Sequence, residues 1–403
     1  MSEWRSSTWG EEVTLEYGKA LRGYSDTPDS VRVYGTNGPI GWTHTPLAPG
    51  PGIILGRKGA YRGVHYSPDA FFVIDTAYYV VPKTELDMRW LYYAIIHHKL
   101  GQIDDGSPIP STTRAAVYPR ELVVPPIEEQ RAISDVLGAL DDRIEQNRRT
   151  AQALERLARS IFNAWFIDFE PARAKAEGAT GFPSMPPPVF DALPTSFVES
   201  DIGPVPEGWE VKPIAQIATF LNGLALQKYP PRGDGRDLRI IKIAQLRKGS
   251  TVGADWANCD VANQYVVGDG DLLFSWSGTL EAELWFGGKG ALNQHLFKVT
   301  SSHFPQWYCL LWIRHHLPWF RAVAASKATT MGHIQRGHLQ EAQVIAPPGP
   351  VLQAADEAIG SLYALYAQVQ IESRKAALVR DLLIPNLLSG AVRIDPTRPA
   401  SGN

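Results

Sequence analysis

The chain has 403 residues, 44% of them hydrophobic and 20% charged, which excludes a disordered chain and fits a folded soluble protein of two or three domains. The net charge of −3 counts mildly against a uniformly basic nucleic-acid binder, and no apolar run approaches the roughly 20 residues that span a membrane. The cysteines, Cys259 and Cys309, lie far apart without CxxC spacing, which argues against a disulfide framework or zinc ribbon and fits a reducing cytoplasm. Met1-Ser2-Glu3-Trp4-Arg5 lacks the basic region and apolar core of a secretory signal.

Taken in chain order, the predicted elements occur twice. From Trp9 a Trp-containing turn and short strand pattern lead to the Gly-rich apolar segment Gly50-Pro51-Gly52-Ile53-Ile54-Leu55-Gly56. An aromatic helical stretch follows, Trp90-Leu91-Tyr92-Tyr93-Ala94-Ile95-Ile96. Then come a hydroxyl-rich loop, Ser111-Thr112-Thr113-Arg114, an apolar strand and Pro125-Pro126. The second copy starts at Trp209 and passes through Gly268-Asp269-Gly270-Asp271-Leu272-Leu273-Phe274 and Trp307-Tyr308-Cys309-Leu310-Leu311-Trp312-Ile313. It continues through Ala328-Thr329-Thr330-Met331, a strand and Pro347-Pro348. Identity between the copies is low, so the repeat is one of architecture.

Each copy closes on a long helix. In the first, Ile133, Leu137, Leu140, Ile144, Asn147, Ala151, Leu154, Ala158, Ile161 and Trp165 recur in steps of four and three, a heptad seam. Glu128 and Glu129 suit its N-terminal dipole, Pro171 follows it, and Asn147 is a polar seam residue of the kind that fixes register. In the second, Leu352, Ala355, Ile359, Leu362, Tyr366 and Val369 keep the rhythm, which becomes irregular near Ser373 and is expected to stop before Pro385. Both are equally well read as plain core helices; the seam needs a partner, and the other helix is the nearest. Between the copies, 178–208 holds seven prolines and is expected to be extended.

Catalytic motifs are missing. There is no Gly-rich cofactor loop with an Asn/Asp-Pro-Pro-aromatic motif, and Gly287-Gly288-Lys289-Gly290 lacks the spacing of a phosphate loop. Glu210-Val211-Lys212 is the one acidic-x-Lys triplet and reads as an exposed strand edge. His97-His98 and His315-His316 are adjacent on helices and cannot share one metal, while His333 and His338 are misspaced for helical zinc. These are surface or packing histidines, and a binding protein is favoured.

Pro125-Pro126-Ile127-Glu128-Glu129-Gln130-Arg131, the heptad helix and Trp165-Phe166-Ile167-Asp168-Phe169-Glu170-Pro171 resemble the central conserved region of the specificity subunits of Type I restriction–modification enzymes. Pro206-Glu207-Gly208-Trp209-Glu210 is similar to the opening of that family's second target-recognition domain. The resemblance covers nearly the whole chain, although Pro347-Pro348-Gly349-Pro350-Val351-Leu352-Gln353 lacks the acidic pair of the first helix. It implies a fold of two mixed α/β target-recognition domains joined by two long antiparallel coiled-coil helices in a pseudo-two-fold repeat. The domains would be 1–124 and 205–346, with long helices in 125–170 and 347–390, a Pro-rich connector 171–204 and a tail 391–403.

By the same resemblance the chain is a non-catalytic phage-defence subunit that reads a bipartite site on double-stranded DNA. Its partners would be methyltransferase subunits and a motor–nuclease subunit, which would carry the S-adenosylmethionine, ATP and Mg2+; no cofactor or metal is expected here. Two alternatives stay open: a DNA enzyme with a divergent nuclease half, and a specificity subunit of a related defence system.

Candidate DNA contacts follow from side-chain chemistry. Arg57, Lys58 and Arg62 lie in a Gly-flanked loop and suit phosphates or guanine. Thr112, Thr113 and Arg114 precede the closing strand. In the second copy Ser275, Trp276, Ser277, Thr279, Asn293, Gln294 and His295 offer hydroxyl, amide and ring groups, and Thr329, Thr330, His333, Gln335 and Arg336 form the late loop. A further cationic stretch, Lys228, Arg232, Arg236, Arg239, Lys242, Arg247 and Lys248, faces Asp234 and Asp237. For each of these the plain alternative is a solvated loop residue.

Overall fold

The computed structural model describes residues 3–103, 108–183, 185–326 and 332–394. It divides into two compact units, Met1–Arg143 with Ala376–Asn403, and Ile144–Lys375.

The first unit is built on a four-stranded antiparallel sheet in the order Val13–Tyr17, Ala77–Pro82, Gly52–Gly56, Val64–Ser67. Val13 and Leu15 alternate with Thr14 and Glu16, so a period of two places the aliphatic side chains in the core. Strand Gly52–Gly56 is buried along its whole length, as a central apolar run should be. A three-stranded sheet holds Val31–Gly35 between antiparallel Gly38–Thr43 and parallel Phe71–Val73, and Arg5–Thr8 pairs with Glu121–Val124. The aromatic stretch forms helix Met88–His97, whose first amides at Arg89 and Trp90 bond to the Asp87 side chain. Trp90, Leu91, Tyr93 and Trp9 then fill the core.

The second unit repeats this plan. Its main sheet runs Thr219–Asn222, Leu296–Thr300, Leu272–Ser275, Ala282–Leu284. Its second sheet again has a parallel pair, Leu238–Ile241 with Gly290–Leu292. Glu210–Pro213 pairs with Gln343–Ala346, so Glu210-Val211-Lys212 does lie on a strand, and Glu210 pairs with Lys212. The second aromatic stretch lies in helix Gln306–Ser326.

Strand registers align the copies residue by residue. Leu55 opposes Tyr78 as Phe274 opposes Phe297, and Tyr17 opposes Tyr78 as Asn222 opposes Phe297. Arg57 is therefore equivalent to Trp276 and Lys58 to Ser277. Two expectations change. Arg5 pairs with Val124 as Glu210 pairs with Ala346, so the counterpart of Trp209 is Trp4 and not Trp9. Lys58 bridges Ser111 as Ser277 bridges His333, so the counterpart of 111–114 is 333–336 and not the Ala328–Met331 stretch.

The first long helix runs Ile127–Phe162 and continues through a π turn, Asn163–Ile167. None of its ten seam positions is exposed, and Asn147 is buried with its amide nitrogen unpartnered. The second comprises Gly349–Ala355, a π turn and Ser361–Leu388. It does not stop before Pro385. An internal proline costs about 3 kcal/mol, but Ile384, Leu387 and Leu388 are buried in the first unit's core, each worth about 1.5–3 kcal/mol. The helices run antiparallel within each unit. In the first, Ile133 and Leu137 share a core with Ile384, Leu387 and Leu388; in the second, Ala151, Ala158 and Phe162 share one with Ile359, Tyr363, Tyr366 and Val369. The 178–208 stretch is not wholly extended: Pro187–Asp191 is a short helix, because prolines at its first positions lack only amides that would be unbonded anyway. Among the described residues no helix is long and apolar enough to cross a membrane.

Candidate nucleic-acid interface

The register brings the candidate residues of the first unit onto one end of its main sheet. Arg57 leaves strand Gly52–Gly56; its amide donates to Thr76 O at 3.0 Å and its carbonyl accepts from Thr112 at 2.9 Å. Its guanidinium carbon lies 5.0 Å from the Tyr17 ring centre and 5.9 Å from that of Tyr78. Arg114 sits 4.5 Å from the Tyr17 ring and donates Nε to Leu15 O at 2.8 Å. Tyr17 itself is 46% exposed, whereas burial pushes the Tyr78 phenol up to about 12. The Arg57 Nε is buried without a hydrogen-bond partner, a cost of about 1–3 kcal/mol. Lys58 beside it is exposed.

Tyr17 and Tyr78 did not stand out in the sequence, since a tyrosine in a strand is ordinary. The signal was the glycine after the strand. A Cβ on Gly18 would overlap Ile74 O, and one on the equivalent Gly223 would overlap Asn293 O. That close approach fixes where both strands end, hence where Tyr17 and Asn222 sit.

Three candidates of the first unit are used internally. Arg62 donates Nε to Gly101 O at 3.1 Å, Nη1 to Gly59 O at 2.8 Å and Nη2 to Ile103 O at 2.7 Å, so it clamps the loop. Thr112 is fully buried and donates to Leu100 O at 3.2 Å. Thr113 caps the short helix Arg114–Val117 through the Ala116 amide.

The second unit fills the same frame with different groups. The Trp276 amide donates to His295 O at 3.3 Å, as that of Arg57 does to Thr76, and its indole donates to Asn222 Oδ1 at 2.9 Å. Ser277 Oγ lies 2.8 Å from His295 Nδ1, and Gln294 Nε2 lies 3.3 Å from His295 Nε2. His333 meets the Trp276 ring edge-on at 6.3 Å. Arg336 and Gln335 are exposed, Arg336 standing 6.0 Å from the Phe297 ring. Ser275 is fully buried, donating to Thr279 O at 2.6 Å, and Asn293 is buried with Oδ1 accepting from the His295 amide at 3.2 Å. Both shape the turn; Thr279 is exposed. Thr329 and Thr330 lie outside the described residues.

The long cationic stretch is largely neutralised at the surface. Arg236 pairs with Asp234 at 2.8 Å, Lys242 with Asp255 at 2.6 Å, Arg247 with Glu281 at 3.2 Å, and Arg232 with Asp260. Arg239 lies 3.6 Å over Trp256. Lys228 and Lys248 have no ion pair with a described residue. The solvated reading holds for most of it.

The histidine pairs pack. His98 is edge-on to Trp9, and His316 stacks on Trp312 and bonds to Gln343 O at 2.7 Å, burial pushing it down to about 4. His338 accepts from the Gln335 amide at 2.9 Å. Among the described residues no three His, Cys, Asp or Glu side chains are grouped to hold a metal.

One frame presented twice with different side chains at equivalent positions defines an internally duplicated α/β protein. Residues 23–156 match the family model of the Type I restriction modification DNA specificity domain. The chain is 24% identical to the specificity subunit of the Type I restriction enzyme MjaIX from Methanocaldococcus jannaschii, covering 78% of this chain and 72% of that protein. It is 23% identical to the specificity subunit of the Type I restriction enzyme HindI from Haemophilus influenzae, covering 70% and 71%. Its fold is that of the S subunit of the Type I restriction–modification system from M. genitalium, with a TM-score of 0.56 at 16% identity over 95% of this chain and 96% of the other. The chain therefore shares its fold, nearly end to end, with a specificity subunit, and part of its first half is similar to the Type I DNA specificity domain.

Proposed function

We propose that this chain is the DNA-reading specificity subunit of a Type I restriction–modification enzyme, with one half of a bipartite target read by each recognition unit. The observation that supports it most is the duplicated frame in which Arg57 and Trp276 occupy equivalent positions. A two-fold-related scaffold whose reading residues differ suits an asymmetric two-part site.

The chain brings no chemistry of its own to the reaction. Methyltransferase subunits would supply S-adenosylmethionine and hold the flipped adenine, and a motor–nuclease subunit would supply ATP- and Mg2+-dependent cleavage. The complex would act in the cytoplasm, against phage DNA. Both long helices contribute a stretch to each unit.

The test is to express the chain with its methyltransferase subunits in a methylation-free host and sequence the methylome. A single bipartite adenine motif, absent without this chain, is expected. The purified chain alone should neither methylate nor, with Mg2+, cleave plasmid DNA. Methyl transfer or cleavage by the chain alone would overturn the assignment.

A further inference from the structure

We propose that Arg57 reads a guanine in the half-site of the first recognition unit, and that the second unit reads its equivalent position without a guanidinium. This rests on the DNA-reading role proposed above.

Three observations carry it. First, the guanidinium is positioned but uncommitted. It stands against the Tyr17 and Tyr78 rings, yet makes no hydrogen bond or ion pair with any described residue, and its buried Nε is left unpartnered. A guanidinium oriented by aromatic rings, with neither Nη group bonded to a described residue, matches two acceptors side by side, which guanine offers at O6 and N7 on its major-groove edge.

Second, the neighbours divide the other tasks. Arg114 spends its Nε on Leu15 O, and Arg62 is bound to three backbone carbonyls. Exposed Lys58, a mobile point charge, suits a phosphate.

Third, the repeat separates what is common from what varies. A phosphate contact is indifferent to sequence, so a shared frame can keep it in both units. Arginine is kept at one equivalent pair, Arg114 and Arg336, but Arg57 gives way to Trp276. Trp276 spends its indole N–H on Asn222, and the groups around it are the Gln294 amide and the Ser277 and His295 pair. Lys58 is exchanged as well, for Ser277, but of the two exchanged cations only the Arg57 guanidinium carries the planar two-donor fork that tells one base edge from another.

The experiment uses the complex with its methyltransferase subunits and duplexes carrying its methylated motif. Each guanine of the motif is replaced in turn by 7-deazaguanine, which lacks the N7 acceptor. One guanine, in one half-site, should lose about tenfold or more in affinity, within the range of a bidentate contact. In Arg57→Gln the same replacement should cost nothing further, and the methylome motif should relax at that position alone. Arg57→Lys keeps the charge but loses the fork and should relax the same position, so the idea stays testable if the glutamine variant is unstable. The proposal is overturned if no guanine is sensitive in the unaltered complex. It is also overturned if Arg57→Lys keeps full discrimination, or if Arg57→Gln weakens all sequences equally with a shallower salt slope. A complex with no sequence preference at all would instead count against the DNA-reading role.

Discussion

Asp141 on the first long helix accepts a hydrogen bond from Arg380 on the second at 2.7 Å, and one from the Tyr93 hydroxyl at 2.6 Å. One carboxylate thus joins both long helices to the aromatic helix inside the first recognition unit. Its side chain and that of Arg380 are about three-quarters buried. Removing Arg380 would leave the Asp141 charge with only the tyrosine. Arg380→Ala should lower unfolding free energy by about 1–3 kcal/mol. Arg380→Lys should recover part of this. Chemical denaturation followed by tryptophan fluorescence measures it, and an unchanged midpoint for Arg380→Ala would show that the tie contributes nothing.

A second prediction concerns acid. The Arg5 guanidinium holds the Glu12 carboxyl down to about 2, against burial, with help from Ser7 and Thr84. Arg5 Nη2 lies 2.7 Å from Glu12 Oε2, and Ser7 donates at 2.5 Å. A depressed carboxylate stabilises the fold fully above its unfolded value near 4.5, and the contribution falls away as pH drops toward about 2. It amounts to at most about 3 kcal/mol, an upper figure because Arg5 is half-exposed and screened. Glu12→Gln should be less stable than the unaltered chain at pH 6 and approach it near pH 2 to 3. Parallel stability–pH curves would refute the link.

The heptad seam, the two strand-and-helix blocks and the closing double prolines were legible because hydrophobic period reports burial directly. Residue roles within the loops were less so. Thr112 looks like a solvent-facing hydroxyl, but the Leu100 carbonyl needs a donor inside the fold and takes it. Arg62 looks like a free cation, but three loop carbonyls converge on it. The equivalence of Arg57 with Trp276 is invisible in composition, since it exists only through strand register. Pro385 misled in the other direction, because local propensity is outweighed once three aliphatic side chains are buried around it.

A third prediction separates the loop cations. Arg62→Ala should act through folding, lowering the melting temperature while the salt slope of DNA binding stays put. Lys58→Ala should leave the melting temperature alone and make the slope shallower by about one unit, uniformly across sequences. If Lys58→Ala alters base preference, or Arg62→Ala alters only binding, the two assignments are reversed.

A fourth prediction concerns modularity. Residues 1–124 hold every first-unit reading candidate: Tyr17, Arg57, Lys58, Tyr78 and Arg114. Exchanging that stretch for the matching domain of another specificity subunit should change one half of the methylated motif and leave the other intact. A swap that alters both halves would contradict two independent readers.

The last prediction is that the long helices act as a ruler for the DNA spacer. Both pass from one compact unit into the other, the first between Arg143 and Ile144, the second between Lys375 and Ala376. Each unit packs a stretch of both helices, so lengthening one alone would break a pairing in one unit, and that variant should lose recognition. Lengthening both by four residues at these points keeps each unit's packing. An α-helix then grows by about 6 Å and turns by about 400°, a net 40°. One added base pair contributes about 3.4 Å and about 36°, two contribute about 6.8 Å and about 72°. Rotation favours one and length favours two. Groove entry depends on facing the duplex correctly, while a small axial excess is absorbed by helix tilt, so the spacer should grow by one. Seven residues in both helices would add about 10.5 Å, close to three base pairs. The DNA would turn by more than about 100° while the helices turned by about 20°, and recognition should be lost. Methylome sequencing with the partner subunits reads every variant. An active four-residue double insertion with an unchanged spacer would mean that the helices hold the units together without setting their distance.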